Sequence, residues 1–391
     1  MHIDVNNAFL SWSAVELLNQ GCKYDIRDSY AVIGGDEDKR HGVVLAKSMA
    51  CKKMGIVTGE SLYSARKKCS VLKTYTPNYS LYQSMSSQMF ELLSGYSPDI
   101  EISSIDECFL DYGKVKKLYG DQLAFALRIK EEIKTKLGFT VNIGIGNNKL
   151  CAKMASDFSK PNQVHTLYIN EVKSKMWILP VGQLFGIGKK TSSKLQQLNI
   201  NTIGELALFD PYKLNKYFKN QTGRMIELAN GVDESLVITN TEAPKGISNS
   251  TTLAYDYTNK EEIYRVINAM AENVAITLRK QQKYANVIAI ILKDKYFHSY
   301  SHQQKLKNAT DITSEIAETA RHLFGEAWDK EPIRLIGVRL DNLVSYTNHQ
   351  VSLFESIDSR EKDTNLEKVV DNLKEKFGHK AIKKASSLDM K

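Results

Sequence analysis

The chain has 391 residues, 42% of them hydrophobic and 25% charged, with a formal net charge of +8. A single core stops growing near ~250–300 residues, so more than one domain is expected, and the apolar content excludes a mostly disordered chain. The mild positive balance is compatible with a polyanionic partner such as nucleic acid, although many soluble proteins carry as much charge and bind none.

Met1–Ile3 begins a short strand. Asn7 to Leu18 then reads as a helix, with Ala8, Trp12, Val15 and Leu18 on one face. Strands are expected at Tyr30–Gly35 and Gly42–Lys47, and short helices at Met49–Met54 and Leu62–Lys68. A longer helix covers Tyr79–Leu93. Glu101–Ile105 and Cys108–Tyr112 read as a hairpin around Asp106-Glu107. A helix at Gln122–Leu137, a strand at Thr140–Ile145 and a helix at Lys149–Asp157 complete an α+β pattern. From about Ile169 to Val232 the chain is helical and strand-poor, and Ile238–Gly246 reads as a polar linker. A second α+β unit follows: strand Asn249–Tyr257, helix Glu261–Gln282, strands Asn286–Lys293 and Phe297–Gln303, helix Asp311–Phe324, strand Ile333–Asp341. This order is a split β-α-β-β-α-β unit. Beyond Asn348 the chain is polar and lysine-rich, with one apolar island at Val351–Phe354.

Cys22, Cys51, Cys69, Cys108 and Cys151 form no C-x-x-C pair, which speaks against a zinc site and for reduced thiols in a cytosol. The start Met1-His2-Ile3-Asp4 has no basic and apolar signal regions, and the longest apolar run, Val287 to Leu292, is too short to cross a bilayer. The expectation is a cytoplasmic protein with no membrane partner.

Asp4 follows a short apolar strand, and Asp106-Glu107 sits at a hairpin tip. Neighbours on a regular strand face opposite sides, so two adjacent acids address one site only where the backbone turns. Carboxylates gathered in this way raise each other's pKa unless cations join them, and magnesium takes oxygen ligands while sharing its shell with phosphates. An isolated Asp-Glu pair is more often a surface turn, so the context decides.

That context resembles the Y-family translesion DNA polymerases, of the bacterial polymerase IV and V type. Ser103-Ser104-Ile105-Asp106-Glu107-Cys108-Phe109-Leu110-Asp111 is similar to their acidic hairpin, and Asp4-Val5-Asn6-Asn7-Ala8-Phe9 to their first acidic motif. Residues Gly144 to Ala155, then Asp157 and Lys160-Pro161-Asn162, resemble a third family segment, and all three stand in the family's order. The resemblance implies a multi-domain α+β right hand: a ferredoxin-like palm (1–20 and 78–164), fingers (21–77), a helical thumb (165–239), a linker (240–246), a little finger (247–345) and a tail (346–391). It implies a low-fidelity, template-directed polymerase of translesion synthesis and DNA repair, acting as a nucleoid-associated monomer. Its substrates would be primer-template DNA and deoxynucleoside triphosphates.

Carried over residue by residue, Asp4, Asp106 and Glu107 would be catalytic and, with the backbone carbonyl of Val5, would hold two Mg2+ ions, Mn2+ being an alternative. Phe9, five positions after Asp4, would be a steric gate against a 2′-hydroxyl; as a bare pattern it also fits the core face of the first helix. Lys52 and Lys160 would hold the triphosphate. Met49 stands where the family usually has Tyr, and Ser48 is a substitute hydroxyl donor. Asn6 and Ala8 also differ from the family's commonest acidic and aromatic residues there.

Gly186, Gly188 and Lys189 resemble the hairpin of a helix-hairpin-helix motif that grips DNA phosphates; a plain interhelical turn is the alternative. On the little finger, Lys293, Lys295, His298, Ser299, Tyr300, Ser301 and His302 are candidates for a phosphate-tracking face. In the tail, Gln350-Val351-Ser352-Leu353-Phe354 resembles the peptide by which bacterial polymerases attach to a sliding clamp, with Gln350, Leu353 and Phe354 as its contacts. No further acidic cluster suggests a proofreading exonuclease. Two other classes remain open: a nucleotidyl cyclase built on a palm-like fold, and a DNA- and clamp-binding protein with a decayed site.

Overall fold

The computed structural model describes residues 1–239, 244–345, 357–378 and 381–382. Its contacts divide the chain into two compact units, residues 1–35 with 43–241 and residues 36–42 with 242–391.

The first unit opens with strand β1 (His2–Val5) and helix α1 (Ala8–Asn19). Asn7 joins them in the left-handed region (φ 50°), which Asn tolerates better than most side chains. Strands β2 (Ala31–Gly34) and β3 (Val44–Lys47), helices α2 (Met49–Lys53) and α3 (Leu62–Lys68), and strand β4 (Lys73–Tyr75) make a small subdomain whose sheet runs β3-β2-β4. Helix α4 (Tyr79–Ser94), the hairpin β5 (Ile100–Ile102) and β6 (Glu107–Leu110), and helices α5 (Lys116–Tyr119) and α6 (Gln122–Leu137) follow. Strand β7 (Val141–Gly146), helix α7 (Lys149–Ser156) and strand β8 (Val164–Leu167) complete a five-stranded sheet in the order β5-β6-β1-β7-β8. All four residues of β1 are buried, as its central place requires.

One sheet face packs on α1, α4 and α6 through Ile3, Trp12, Tyr82, Met89, Ile129 and Phe139. On the other face α7 lies unusually close. A Cβ on Gly144 would stand 1.9 Å from the Ala152 carbonyl oxygen, and one on Gly146 would stand 2.6 Å from the Ala152 nitrogen. The glycines of the third motif therefore serve this approach of helix to strand. Residues of α7 continue into a separate core with Val172, Met176, Leu184, Ile187, Leu195 and Ile203. That core holds the helical subdomain: α8 (Lys189–Gln197), α9 (Ile203–Leu208), α10 (Pro211–Phe218) and α11 (Thr222–Ala229).

The second unit contains β9 (Gly246–Tyr257), α12 (Lys260–Lys280), β10 (Tyr284–Asp294), β11 (Ser299–Thr310), α13 (Thr313–Ala327) and β12 (Ile333–Val344). It forms the expected β-α-β-β-α-β unit, with an antiparallel sheet in the order β11-β10-β12-β9. Ile263, Ile267, Val274, Ile288, Ile290, Phe324, Ile336 and Val338 fill the space between sheet and helices.

Four local differences from the sequence reading stand out. β4 and β8 are short strands that periodicity does not reveal, and β8 continues the sheet past Val164, where the helical region was expected to begin. β9 starts at Gly246, inside the expected linker; residues 240–243 of that linker lie outside the described residues. Tyr300 packs against the unit's core rather than standing on an open face. Finally, part of the polar tail is a helix, α14 (Ile357–Phe377). It docks through charge: Arg279 of α12 meets Asp371 at 2.6 Å and Glu367 at 3.1 Å, and Glu367 accepts from the Thr313 hydroxyl at 2.9 Å.

Candidate active site

Antiparallel pairing of β1 with β6 sets Asp4 directly opposite Glu107, so their side chains leave the sheet on one face. Asp106 sits in the turn just before β6, and its carbonyl accepts from the Val5 N–H at 3.1 Å. The turn is held by Ser103 and Ser104, whose N–H groups both donate to the Glu107 carbonyl oxygen. The strand order and this turn bring the three acids to one place, a cavity of about 340 Å³. Asp4, Val5, Phe9, Met49, Lys52, Asp106, Glu107 and Lys160 all line it.

Each acid has a partner within the chain. Lys160 contacts Asp4 and also meets Asp157 at 2.8 Å. Lys153 reaches Glu107 at 2.6 Å and Asp157 at 3.4 Å, and stands 3.9 Å from Asp4. The Ser104 hydroxyl donates to Asp106 at 2.6 Å. Burial lifts the Asp4 carboxyl above the usual range, against the pull of the Lys160 ammonium. Glu107 is held down at about 2 by the His2 ring beside it and by Lys153. Burial works against the Lys160 ammonium, but Asp4 and Asp157 hold it above its ordinary value. Among the described residues no group of three or more His, Cys, Asp or Glu is arranged to hold a metal ion. The donor set still suits a hard divalent cation: every acid offers oxygen, and buried Asp4 calls for positive charge that the lysines now supply.

The lining is also basic. Lys47 and Lys52 belong to it, and Lys47 donates to the Thr58 hydroxyl at 3.0 Å. Burial, then the neighbouring Lys52 charge, lowers the Lys47 pKa. Acids and ammoniums therefore line one cleft, a charge pattern matched to a polyphosphate with its counter-cations. Phe9 lines it too. Its ring stacks on Tyr82 with centroids 4.4 Å apart and meets Tyr79 edge-on at 6.1 Å, so the side chain both packs on the core and faces the cavity.

Ser48 is not among the lining residues. It is buried, and its hydroxyl caps α2 by accepting from the Cys51 N–H at 3.1 Å. The sequence reading also missed Lys47, Thr58 and Lys153. Lys153 stands in the quoted third motif, and its place four residues before Asp157 on a helix was the available signal.

Gly186 takes φ 90°, Ile187 is buried, and Gly188 is the N-cap of α8. The turn is thus anchored by Ile187 while the helix start stays open. Lys189, Lys190, Ser193, Lys194 and Gln197 line a shallow basic depression along α8. Gln350, Leu353 and Phe354 lie outside the described residues. No helix among the described residues is long and apolar enough to cross a membrane.

Three family models match the chain: the impB/mucB/samB family over residues 3–157, the HHH motif of that family over 170–200, and its C-terminal domain over 244–353. The chain is 47% identical to DNA polymerase IV of Clostridium acetobutylicum over 390 residues, covering 99% of this chain and 98% of that protein. It is 36% identical to DNA polymerase IV of Acetivibrio thermocellus, covering 98% and 96%. Among solved structures, a Y-family DNA polymerase chimera matches with a TM-score of 0.77 at 22% identity, over 88% of this chain and 99% of that one. DinB from Sulfolobus solfataricus matches with a TM-score of 0.58 at 22% identity, over 88% and 99%. The structural likeness shows the fold, and the sequence identity along nearly the whole length shows the family: the chain belongs to the impB/mucB/samB family of Y-family DNA polymerases.

Proposed function

We infer that this chain is a DNA-directed DNA polymerase of translesion synthesis, extending a primer 3′ end in the cleft lined by Asp4, Asp106, Glu107, Lys52 and Lys160. The observation that carries the reading is the convergence of three carboxylates and three lysines on one cavity beside an aromatic ring. A nucleotidyl cyclase needs the acids but neither the glycine-hinged basic helix nor the second unit. A decayed site would have no reason to keep all three acids facing the same cleft.

Asp4, Asp106 and Glu107, with the Val5 carbonyl, are the residues proposed to hold two divalent cations, magnesium first. When bound, such ions lower the pKa of an attacking hydroxyl and stabilise charge on the transferring phosphorus. The chain's own residues do the remaining work. Lys47, Lys52 and Lys160 offer ammoniums to the phosphate oxygens, and Phe9 bounds the space beneath the sugar. The residues Gly186, Gly188 and Lys189 at the α8 start are proposed to hold a DNA phosphate through backbone N–H groups and the helix end. Extension of a primed template is the test. It is expected to require template and magnesium and to stop on chelation; nucleotide consumption without a template would defeat the reading.

The Gln350–Phe354 peptide is proposed to tether the enzyme to a sliding clamp, with Leu353 and Phe354 as apolar anchors and Gln350 as their polar guide. Leu353→Ala with Phe354→Ala is expected to leave synthesis on short primers intact and to remove stimulation by a loaded clamp. Direct binding of purified clamp by that double variant, at wild-type affinity, would exclude the peptide.

A further inference from the structure

Lys160 sits on a loop, and a lysine at the end of a flexible stem can only be aimed if its backbone is fixed. Two buried amides fix it here. Asn142 of β7 is fully buried and donates to the Ser159 carbonyl at 2.6 Å and the Ser156 carbonyl at 3.0 Å, while accepting from the Gln163 N–H at 3.1 Å. Asn6, just past the end of β1 and 6% exposed, accepts from the Asn162 N–H at 2.8 Å and from the Thr140 hydroxyl at 3.0 Å. Its own amide donates to Asn142 at 3.1 Å, joining the two. The loop is thus held at Ser159 before Lys160 and at Asn162 and Gln163 after it. The strand that supplies Asp4 runs directly into one of the clamping residues.

We propose that Asn6 and Asn142 are positioning residues that aim Lys160 at the phosphates of the incoming nucleotide, coupling the triphosphate subsite to the strand that carries the first acid. The proposal rests on the assignment of Lys160 to the triphosphate. The chemistry asks for amides at both places. Each residue must donate and accept, and a carboxylate at Asn142 would face two carbonyl oxygens. An apolar residue would leave buried loop groups unpaired. Asn6 stands where the resemblance leads one to expect an acid, and its donated hydrogen bond to the Asn142 oxygen is the one contact an ionised Asp could not make.

Steady-state single-nucleotide insertion on a primed template separates this role from a merely structural one. Asn6→Ala is expected to raise the KM for the incoming deoxynucleotide about tenfold, while kcat falls less. Asn6→Asp keeps the acceptor for Asn162 and Thr140 and is expected to recover part of that loss. The decisive comparison is the pair with Lys160→Ala. Residues acting through one another are non-additive, so Asn6→Ala with Lys160→Ala should have the KM of Lys160→Ala alone. A double-variant KM equal to the product of the two separate effects overturns the proposal, as does an unchanged KM for Asn6→Ala. An unchanged KM for Lys160→Ala removes the assignment of Lys160 itself, and the proposal with it. Melting curves and primer-template affinity report folding. If Asn6→Ala does not fold, Thr140→Val, which deletes a single donor to Asn6, is judged by the same comparison.

Discussion

Asp106→Asn and Glu107→Ala are each expected to reduce primer extension by on the order of a thousandfold or more while primer-template binding persists. The two variants probe the acids in different ways. Asp106 stands in the turn before β6, bonded to the Ser104 hydroxyl. Asparagine there keeps the shape and removes only the charge. Glu107 is tied to Lys153, and its loss leaves that ammonium with Asp157 at 3.4 Å and Asp4 at 3.9 Å, so no uncompensated buried charge results. Neither change opens a hole in the sheet core, which is built from Ile3, Cys108 and Leu110 on the neighbouring positions. Gel-shift binding alongside extension makes the check. Wild-type extension by either variant would remove the acid pair from the mechanism.

The second large effect is on sugar selection. If Phe9 is the proposed gate and rejects a 2′-hydroxyl by shape, Phe9→Ala is expected to lower discrimination against ribonucleotides by on the order of a hundredfold. The ring stacks on Tyr82 and meets Tyr79 edge-on, contacts that would resist its swinging aside for a 2′-hydroxyl. Removing it enlarges the same cavity that Asp4 and Lys52 line. Matched ribo- and deoxyribonucleotide insertion provides the ratio. If the ratio is unchanged while overall activity falls, Phe9 serves the core of α1 alone.

How far the sequence revealed this arrangement depended on where the physical signal lay. The acid pair was legible because a polar dipeptide between two apolar runs marks a hairpin: the turn holds Asp106, and the β1–β6 register sets Glu107 opposite Asp4. The second unit was legible because its core-facing residues, such as Ile288 and Ile290 on β10 or Ile263 and Ile267 on α12, keep clean strand and helix periods. α14 was not, because its buried stripe is charged. Glu367, Asp371 and Lys374 face α12 and α13, while Leu366, Val369 and Phe377 are exposed. Hydrophobic periodicity cannot identify a helix that docks by ion pairs. The short strands β4 and β8 were missed because three or four residues carry too little pattern. Ser48 was proposed for its hydroxyl, but local geometry claims that group first as the cap of α2. The Asn6–Asn142 pair depends on a contact between distant segments, which no local window contains, and Lys153 left only its i,i+4 spacing to Asp157 as a local trace of its bond to Glu107.

In the proposed mechanism one cleft gathers cations on Asp4, Asp106 and Glu107 and hands Lys160 to the nucleotide. A crystal structure of the chain with primer-template DNA, magnesium and a non-hydrolysable deoxynucleotide triphosphate tests it most directly. Divalent cations are expected on those three carboxylates, with Lys160 moved from Asp4 onto a phosphate oxygen and the sugar seated over Phe9. A nucleotide bound elsewhere, or seated in the cleft with Lys160 still on Asp4 and no cation on the three acids, would contradict that mechanism.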